Sequence, residues 1–325
     1  MTLLRHWPLL AALLALAFQA GPAAAAPEAF ESVRPDGSTI YWWVDRLSKG
    51  QRSGLILLAQ GSGCQSVRAN ANVALARSLF PGYAALTVEK YGVVPGDDPK
   101  EPFDANCPAA FHAHHTVSQR VADARQVIDQ LRGQPWWNGQ LVLFGGSEGG
   151  DVAALLAGPT RADAAILLST GAGITFGEMV RQSLMDEMTR NHVPKTEWPD
   201  IDAAFTQARQ SPDSTTLWGG SSLRFWADAI DRRVVDEMLR SDTAFLLIQG
   251  GRDASAPVGA ARKAAELFAA AGRCSLTYWE FPAYGHGMAS SDGASHMADV
   301  LAQSAAWLEH RLLVPPAPTA CGDPL

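Results

Sequence analysis

The chain has 325 residues, with 26 Lys and Arg against 33 Asp and Glu, for a net charge of −7. At 47% hydrophobic and 18% charged it holds enough apolar material for a full core, which argues against intrinsic disorder. After the N-terminal segment no basic run occurs, so nucleic acid and anionic membrane surfaces have no electrostatic support as partners.

The first residues, MTLLRHWPLLAALLALAFQAGPAAAAPEAF, place Arg5 before an apolar run from Leu9 to Phe18 and a small-residue stretch at Ala23–Ala26. That layout predicts a secretory signal peptide over 1–26 with an A-x-A cleavage site near Ala24–Ala26. The apolar run is about half of the roughly 20 residues that a spanning helix needs, and Gly21-Pro22 ends it, so no stable membrane anchor is expected. No cysteine follows it to accept a lipid. The expected product is exported, periplasmic or secreted, with residues 27–325 forming one large domain.

Seven apolar, β-rich runs follow: 39–45, 54–60, 83–89, 140–145, 164–169, 243–249 and 275–281. Several are continuous rather than alternating, as expected of strands covered on both faces. Helical patterns lie between them over 71–80, 116–133 (with Thr116 and Gln119 at capping-box spacing), 148–158, 259–272 and 297–313. Alternating strands and helices predict an α/β domain with a mostly parallel central sheet flanked by helices. One stretch, about 171–242, breaks the rhythm with helical patterns carrying Met179, Met185, Met188, Trp198, Trp218 and Trp226. A structureless loop of that length is unusual, so a helical cap insertion is expected, its aromatics mainly packing on one another. A Pro-rich tail, 314–325, closes the chain.

The cysteines are Cys64, Cys107, Cys274 and Cys321, none in a C-x-x-C pair. In an exported protein an even count favours disulfides over zinc, and three pairings are open. The favoured ones are Cys64–Cys107 and Cys274–Cys321, the second pinning the tail to the domain. The cluster FHAHH, 111–115, sets His112 and His114 two apart, which do not face each other on a helix, and no acidic or cysteine ligand stands at a recognisable spacing. It is read as a loop entering the helix at Thr116, and neither a metal nor a cofactor is expected.

The chemistry gathers around LVLFGGSEGG, 141–150. Gly145-Gly146-Ser147-Glu148-Gly149 fits G-x-S-x-G with a strand before it and a helix after it, the setting of a nucleophile elbow. A serine hydroxyl needs a base. His286, in FPAYGHGM after the last strand, can swing over the carboxyl edge of the sheet, whereas His296 and His310 belong to the terminal helix. The base needs a carboxylate to hold its tautomer, and Asp253 follows the strand 243–249 directly. The order Ser147, Asp253, His286, each at a strand's carboxyl end, is the candidate catalytic set. For an oxyanion, the backbone N–H of Glu148 is one donor; the loop GSGCQS, 61–66, is expected to supply the second, first from Ser62 and then from Gly63.

From about residue 39 to 313 the chain resembles an α/β-hydrolase, and the doubled-glycine elbow GGSEGG is similar to the dienelactone hydrolase and prolyl oligopeptidase branches. That resemblance matches Ser147 to the nucleophile, Asp253 to the acid after the penultimate strand and His286 to the base after the last. Gln60 stands where many relatives have a histidine. The implied activity is that of a serine hydrolase acting on a small-molecule acyl substrate: a carboxylic ester first, an amide, peptide or thioester bond second. A catalytically silent, ligand-binding member of the fold is the remaining alternative.

Overall fold

The computed structural model describes residues 28–48, 50–99 and 106–313. The expected signal peptide, the Pro-rich tail and the Cys274–Cys321 pairing fall outside these residues. In chain order the strands are β1 (Glu28–Val33), β2 (Thr39–Asp45), β3 (Ser53–Ala59), β4 (Tyr83–Val88), β5 (Trp137–Gly146), β6 (Ala164–Leu168), β7 (Leu217–Trp218), β8 (Ser221–Ser222), β9 (Ala244–Gly250) and β10 (Leu276–Phe281). The helices are α1 (Ala71–Leu79), α2 (Ala109–His114), α3 (Val117–Leu131), α4 (Glu148–Thr160), α5 (Phe176–Arg190), α6 (Ile201–Gln210), α7 (Leu223–Ala229), α8 (Val235–Arg240), α9 (Val258–Ala270) and α10 (Met297–Leu313).

Eight strands form one sheet in the order β1-β2-β4-β3-β5-β6-β9-β10. The β1–β2 and β2–β4 pairs are antiparallel and the rest are parallel. The continuous apolar runs are explained by the period-two alternation of a strand buried on both faces. Leu55, Leu57, Leu141, Leu143, Leu167 and Leu247 pack with α3, α4, α7, α8 and α9. Their neighbours Ile56, Leu58, Val142, Phe144, Leu168 and Ile248 pack with α1 and α10 on the other face. Local signals start the helices: the Asn70 side chain accepts from the N–H groups of Asn72 and Val73 at α1, and Thr116 Oγ1 accepts from Gln119 N (3.0 Å) at α3. No helix among the described residues is long and apolar enough to cross a membrane.

The seven expected strands and the main helices are present within a few residues of their sequence positions. Three features differ. Strand β1 carries no apolar run, because it is an edge strand paired only with β2; Phe30, at 36% exposure, lies against Trp42. The stretch 217–239, expected as helix, opens instead with the β7–β8 hairpin, since Gly219 and Gly220 both take positive φ (53° and 81°) and close a two-residue turn. FHAHH is not a loop: His112 and His114 sit in the short helix α2, which ends at His115.

The sharpest packing constraint lies where β5 passes into α4. A Cβ on Gly145 would overlap the Gly149 carbonyl, and one on Gly149 would overlap the carbonyl groups of Ala59 and Gln60 at the end of β3. Both contacts are to backbone, which cannot rotate away. Gly149→Ala is therefore expected to cost at least about 1–3 kcal/mol of stability by overpacking, measured as a lower urea midpoint than wild type with an unchanged slope.

Candidate active site

Ser147 stands between β5 and α4 with φ 54° and ψ −128°, a conformation that costs a non-glycine residue about 1–3 kcal/mol. The strain is held from both sides: Ser147 N donates to Leu168 O at the end of β6, and Gly150 N donates to Ser147 O, both at 2.8 Å. Although Ser147 occupies the N-cap position of α4, its hydroxyl makes no capping bond. The N–H of Glu148, at the start of the helix, has no intrahelical partner, and the helix macrodipole favours negative charge there.

Asp253 lies three residues beyond β9, its side chain fully buried beside the half-buried ring of His286. Its Oδ1 accepts from the N–H groups of Ser255 (2.9 Å) and Ala256 (2.8 Å), and its Oδ2 from Gln249 Nε2 (2.7 Å). His286 Nδ1 lies 3.0 Å from Oδ1 and 2.9 Å from Oδ2. Against an ionised carboxylate that nitrogen is the donor, which leaves Nε2 to accept a proton. The His286 loop is anchored in turn by its carbonyl, which accepts from Ser169 Oγ at 2.8 Å. Sequence reasoning missed Gln249 and Ser169, since a polar residue at the end of a buried strand has no motif to mark it.

Ser147 and His286 line one cavity of about 490 Å³, within the usual range of ligand pockets. Leu58, Val73, Phe144, Leu168 and Leu301 give it an apolar wall, while Gln65, Asn70 and Asn72 add amide groups. Apart from His286, no titratable side chain lines it among the described residues. The loop after β3 borders the same space: Gly61 and Ser62 line it, and a Cβ placed on Gly61 would sit 3.5 Å from the Ser147 Cβ. Gly63, the second-choice donor, is buried and does not line the cavity. The insertion between β6 and β9 does not line it either. Its Phe205, Trp218, Phe225 and Trp226 pack on one another, on the sheet face opposite α1 and α10.

Beneath the elbow lies a buried charged cluster that sequence reasoning did not find. Glu148 Oε1 accepts from Arg120 Nη1 (2.6 Å) and faces His115 Nε2 (3.2 Å). Burial alone would raise the Glu148 carboxyl, but His115, Lys90 and Arg120 outweigh it and hold it well below the usual carboxylate range. Burial pulls His115 down to about 4, so near neutral pH the ring is uncharged and donates through Nε2. Its ring stacks between Phe111 and Phe225. The expected Cys64–Cys107 disulfide is present, tying the loop after β3 to the segment before α2.

No protein-family model matches the chain, and no curated protein matches it. Solved structures do. Est1E from Butyrivibrio proteoclasticus, in complex with ferulic acid, superposes with a TM-score of 0.59 at 17% identity, covering 88% of this chain and 100% of its own. The α/β hydrolase GrgF from Penicillium sp. sh18 superposes with a TM-score of 0.57 at 14% identity, covering 89% and 100%. The chain has the α/β-hydrolase fold. A puromycin-hydrolyzing peptidase from Mycobacterium tuberculosis shares this fold with a TM-score of 0.56 at 16% identity, over 86% of this chain and 38% of the peptidase. Ser147, Asp253 and His286 follow β5, β9 and β10.

Within α4, one turn past Ser147, burial pushes the Asp151 carboxyl up to about 7 against the lowering effect of its bond with Thr170. A carboxyl raised in the folded state contributes stability that is fully present below 3.8 and is lost as the pH rises to about 7. Asp151→Asn removes that proton, so thermal melts should show the wild type losing its advantage over the variant between pH 4 and pH 7. Parallel pH curves for the two proteins would contradict the assignment.

Proposed function

We propose that this protein is an exported serine hydrolase that cleaves a carboxylic ester through an acyl-enzyme, with Ser147 as nucleophile, His286 as base and Asp253 as its orienting carboxylate. One observation carries the reading: His286 Nδ1 lies within 3.0 Å of both Asp253 oxygens, while the same imidazole and the Ser147 elbow line one cavity. His286 Nε2 takes the hydroxyl proton as Ser147 Oγ attacks the ester carbonyl. The Glu148 and Ser62 N–H groups hold the resulting oxyanion, and Asp253 steadies the imidazolium. Collapse breaks the C–O bond, and the imidazolium gives its proton to the departing alcohol. A water deprotonated by His286 then attacks the acyl-enzyme, releases the acid and returns the proton to Ser147.

The cavity chemistry supports an uncharged acyl group. With no titratable lining residue besides His286 among the described residues, a charged substrate group would enter without a partner, at a large desolvation cost. Est1E with bound ferulic acid supports an ester in the same direction, while the peptidase relative keeps an amide or peptide bond as the second reading. Export is supported by the signal-like residues 1–26 and by the Cys64–Cys107 bridge, which suits an oxidising compartment.

A fluorophosphonate probe should label the wild type and fail on Ser147→Ala; equal labelling of both, or of neither, would end the serine-hydrolase reading and favour the silent binder. Asp253→Asn should keep the fold and lower kcat on p-nitrophenyl acetate by about 10,000-fold, the scale expected when the histidine loses its tautomer partner. Short p-nitrophenyl acyl esters should be turned over faster than aminoacyl p-nitroanilides and acyl thioesters; the reverse order would replace the ester by one of those bonds.

A further inference from the structure

The loop that follows β3 is stitched to the protein at nearly every residue, and the pattern of stitching is informative. Lys90, two residues past β4 and fully buried, donates from Nζ to the carbonyls of Gly61 and Gly63, both at 2.5 Å. Arg120, from α3, donates from Nη2 to the Gln60 carbonyl at 2.7 Å. Cys64 is held by its disulfide, and the Gln65 carbonyl by Gln60 Nε2 at 2.9 Å. Buried Glu89 accepts from Ser66 Oγ and, at 3.0 Å, from Val67 N. From Gln60 to Val67, Ser62 alone enters no such bond among the described residues, and Ser62 is the exposed one that borders the cavity.

Peptide planarity turns this into a statement about direction. No peptide bond among the described residues is cis, and in a trans peptide the N–H points opposite to the carbonyl before it. The Gln60 and Gly61 carbonyls both point inward, at Arg120 and Lys90. The N–H groups of Gly61 and Ser62 are therefore turned away from the two cations, toward the side where the cavity lies. The Lys90 amine, pulled down to about 7 by burial, and the Arg120 guanidinium both hold these inward carbonyls as N–H donors from behind the loop. The Glu148 side chain closes the circuit, since its carboxylate pairs with Arg120 while its backbone N–H is the other proposed oxyanion donor.

We propose that Lys90 and Arg120, with Glu148 as the counter-ion of Arg120, are positioning residues that fix the oxyanion-binding N–H of Ser62. None of the three side chains touches the substrate; they act through the peptide planes of the loop. The inference rests on the serine-hydrolase reading above. It adds that the oxyanion hole is set by a buried polar cluster behind it.

The test is Lys90→Met, which keeps an unbranched apolar stem one heavy atom shorter and removes the amine. On p-nitrophenyl acetate, kcat should fall about 100-fold with KM changed by less than about twofold, the signature of an interaction made in the transition state. The inhibition constant of a trifluoromethyl ketone, whose adduct with Ser147 bears the same oxyanion, should rise by about the same 100-fold factor. Lys90→Arg, which restores a cation within reach of the carbonyls, should recover part of both losses. A folded Lys90→Met with wild-type kcat and ketone inhibition, or with a loss confined to KM, overturns the inference. If Lys90→Met does not fold, Glu148→Gln decides with the same two readouts: a matched loss of kcat and ketone affinity supports the inference, and unchanged ketone affinity overturns it. Absence of wild-type labelling at Ser147 would instead defeat the hydrolase reading itself, so the two failures are distinguishable.

Discussion

The close crossing of β5, α4 and the end of β3 is the constraint on which the rest of the molecule depends. At that crossing the backbone of Gly149 lies against the carbonyls of Ala59 and Gln60, with no room for a side chain. The tight turn forces Ser147 to positive φ and lifts its hydroxyl out of the helix it begins, where a serine would otherwise cap. The same contact presses the elbow onto the loop after β3. Ser147 and the loop after β3 are thus positioned by one packing event, and the strain at Ser147 is sustained by bonds from β6 and from the first turn of α4.

The two sides of that loop face opposite environments. Toward the cavity the surroundings are apolar and carry amides, and among the described residues His286 is the one titratable side chain there. Behind it, Lys90, Arg120, Glu148 and Glu89 are buried together. Burial pushes Glu89 up to about 7 and pulls Lys90 down to about 7, so desolvation offsets most of the Coulombic gain and the cluster is a poor source of net stability. Their retention is better understood as fixing conformation: each one bonds to a backbone group of the loop or to a charge that does. The disulfide at Cys64 adds a covalent tie in the same short segment.

Topology separates ligand space from inserted structure. Because alternate residues of each central strand face opposite sides, Leu58, Phe144 and Leu168 form the wall of the cavity on the α1 and α10 face. The insertion between β6 and β9 adds its aromatic core to the other face, against α3 and α4. Variation in the cavity wall and variation in the insertion can therefore alter different properties, the first substrate fit and the second the packing beneath the elbow, where Phe225 stacks on His115.

Local signals in the sequence were strong enough to determine the alternation of strands and helices, the elbow and the chain order of Ser147, Asp253 and His286. Continuous apolar runs, caps and glycine pairs report on neighbours a few residues away. Edge strand β1 stayed silent because it buries too little to leave a pattern, and the Gly219-Gly220 hairpin was hidden inside an otherwise helical composition. Three pairings of the cysteines were open; the favoured Cys64–Cys107 bridge is the one the fold shows. Nothing in the sequence marks Lys90, Arg120 or the Glu148 side chain, and His115 stands out only within FHAHH, since each comes from a different element. Tertiary structure alone brought them under one loop, because the energy of a buried ion cluster depends on distances through space that no local pattern encodes.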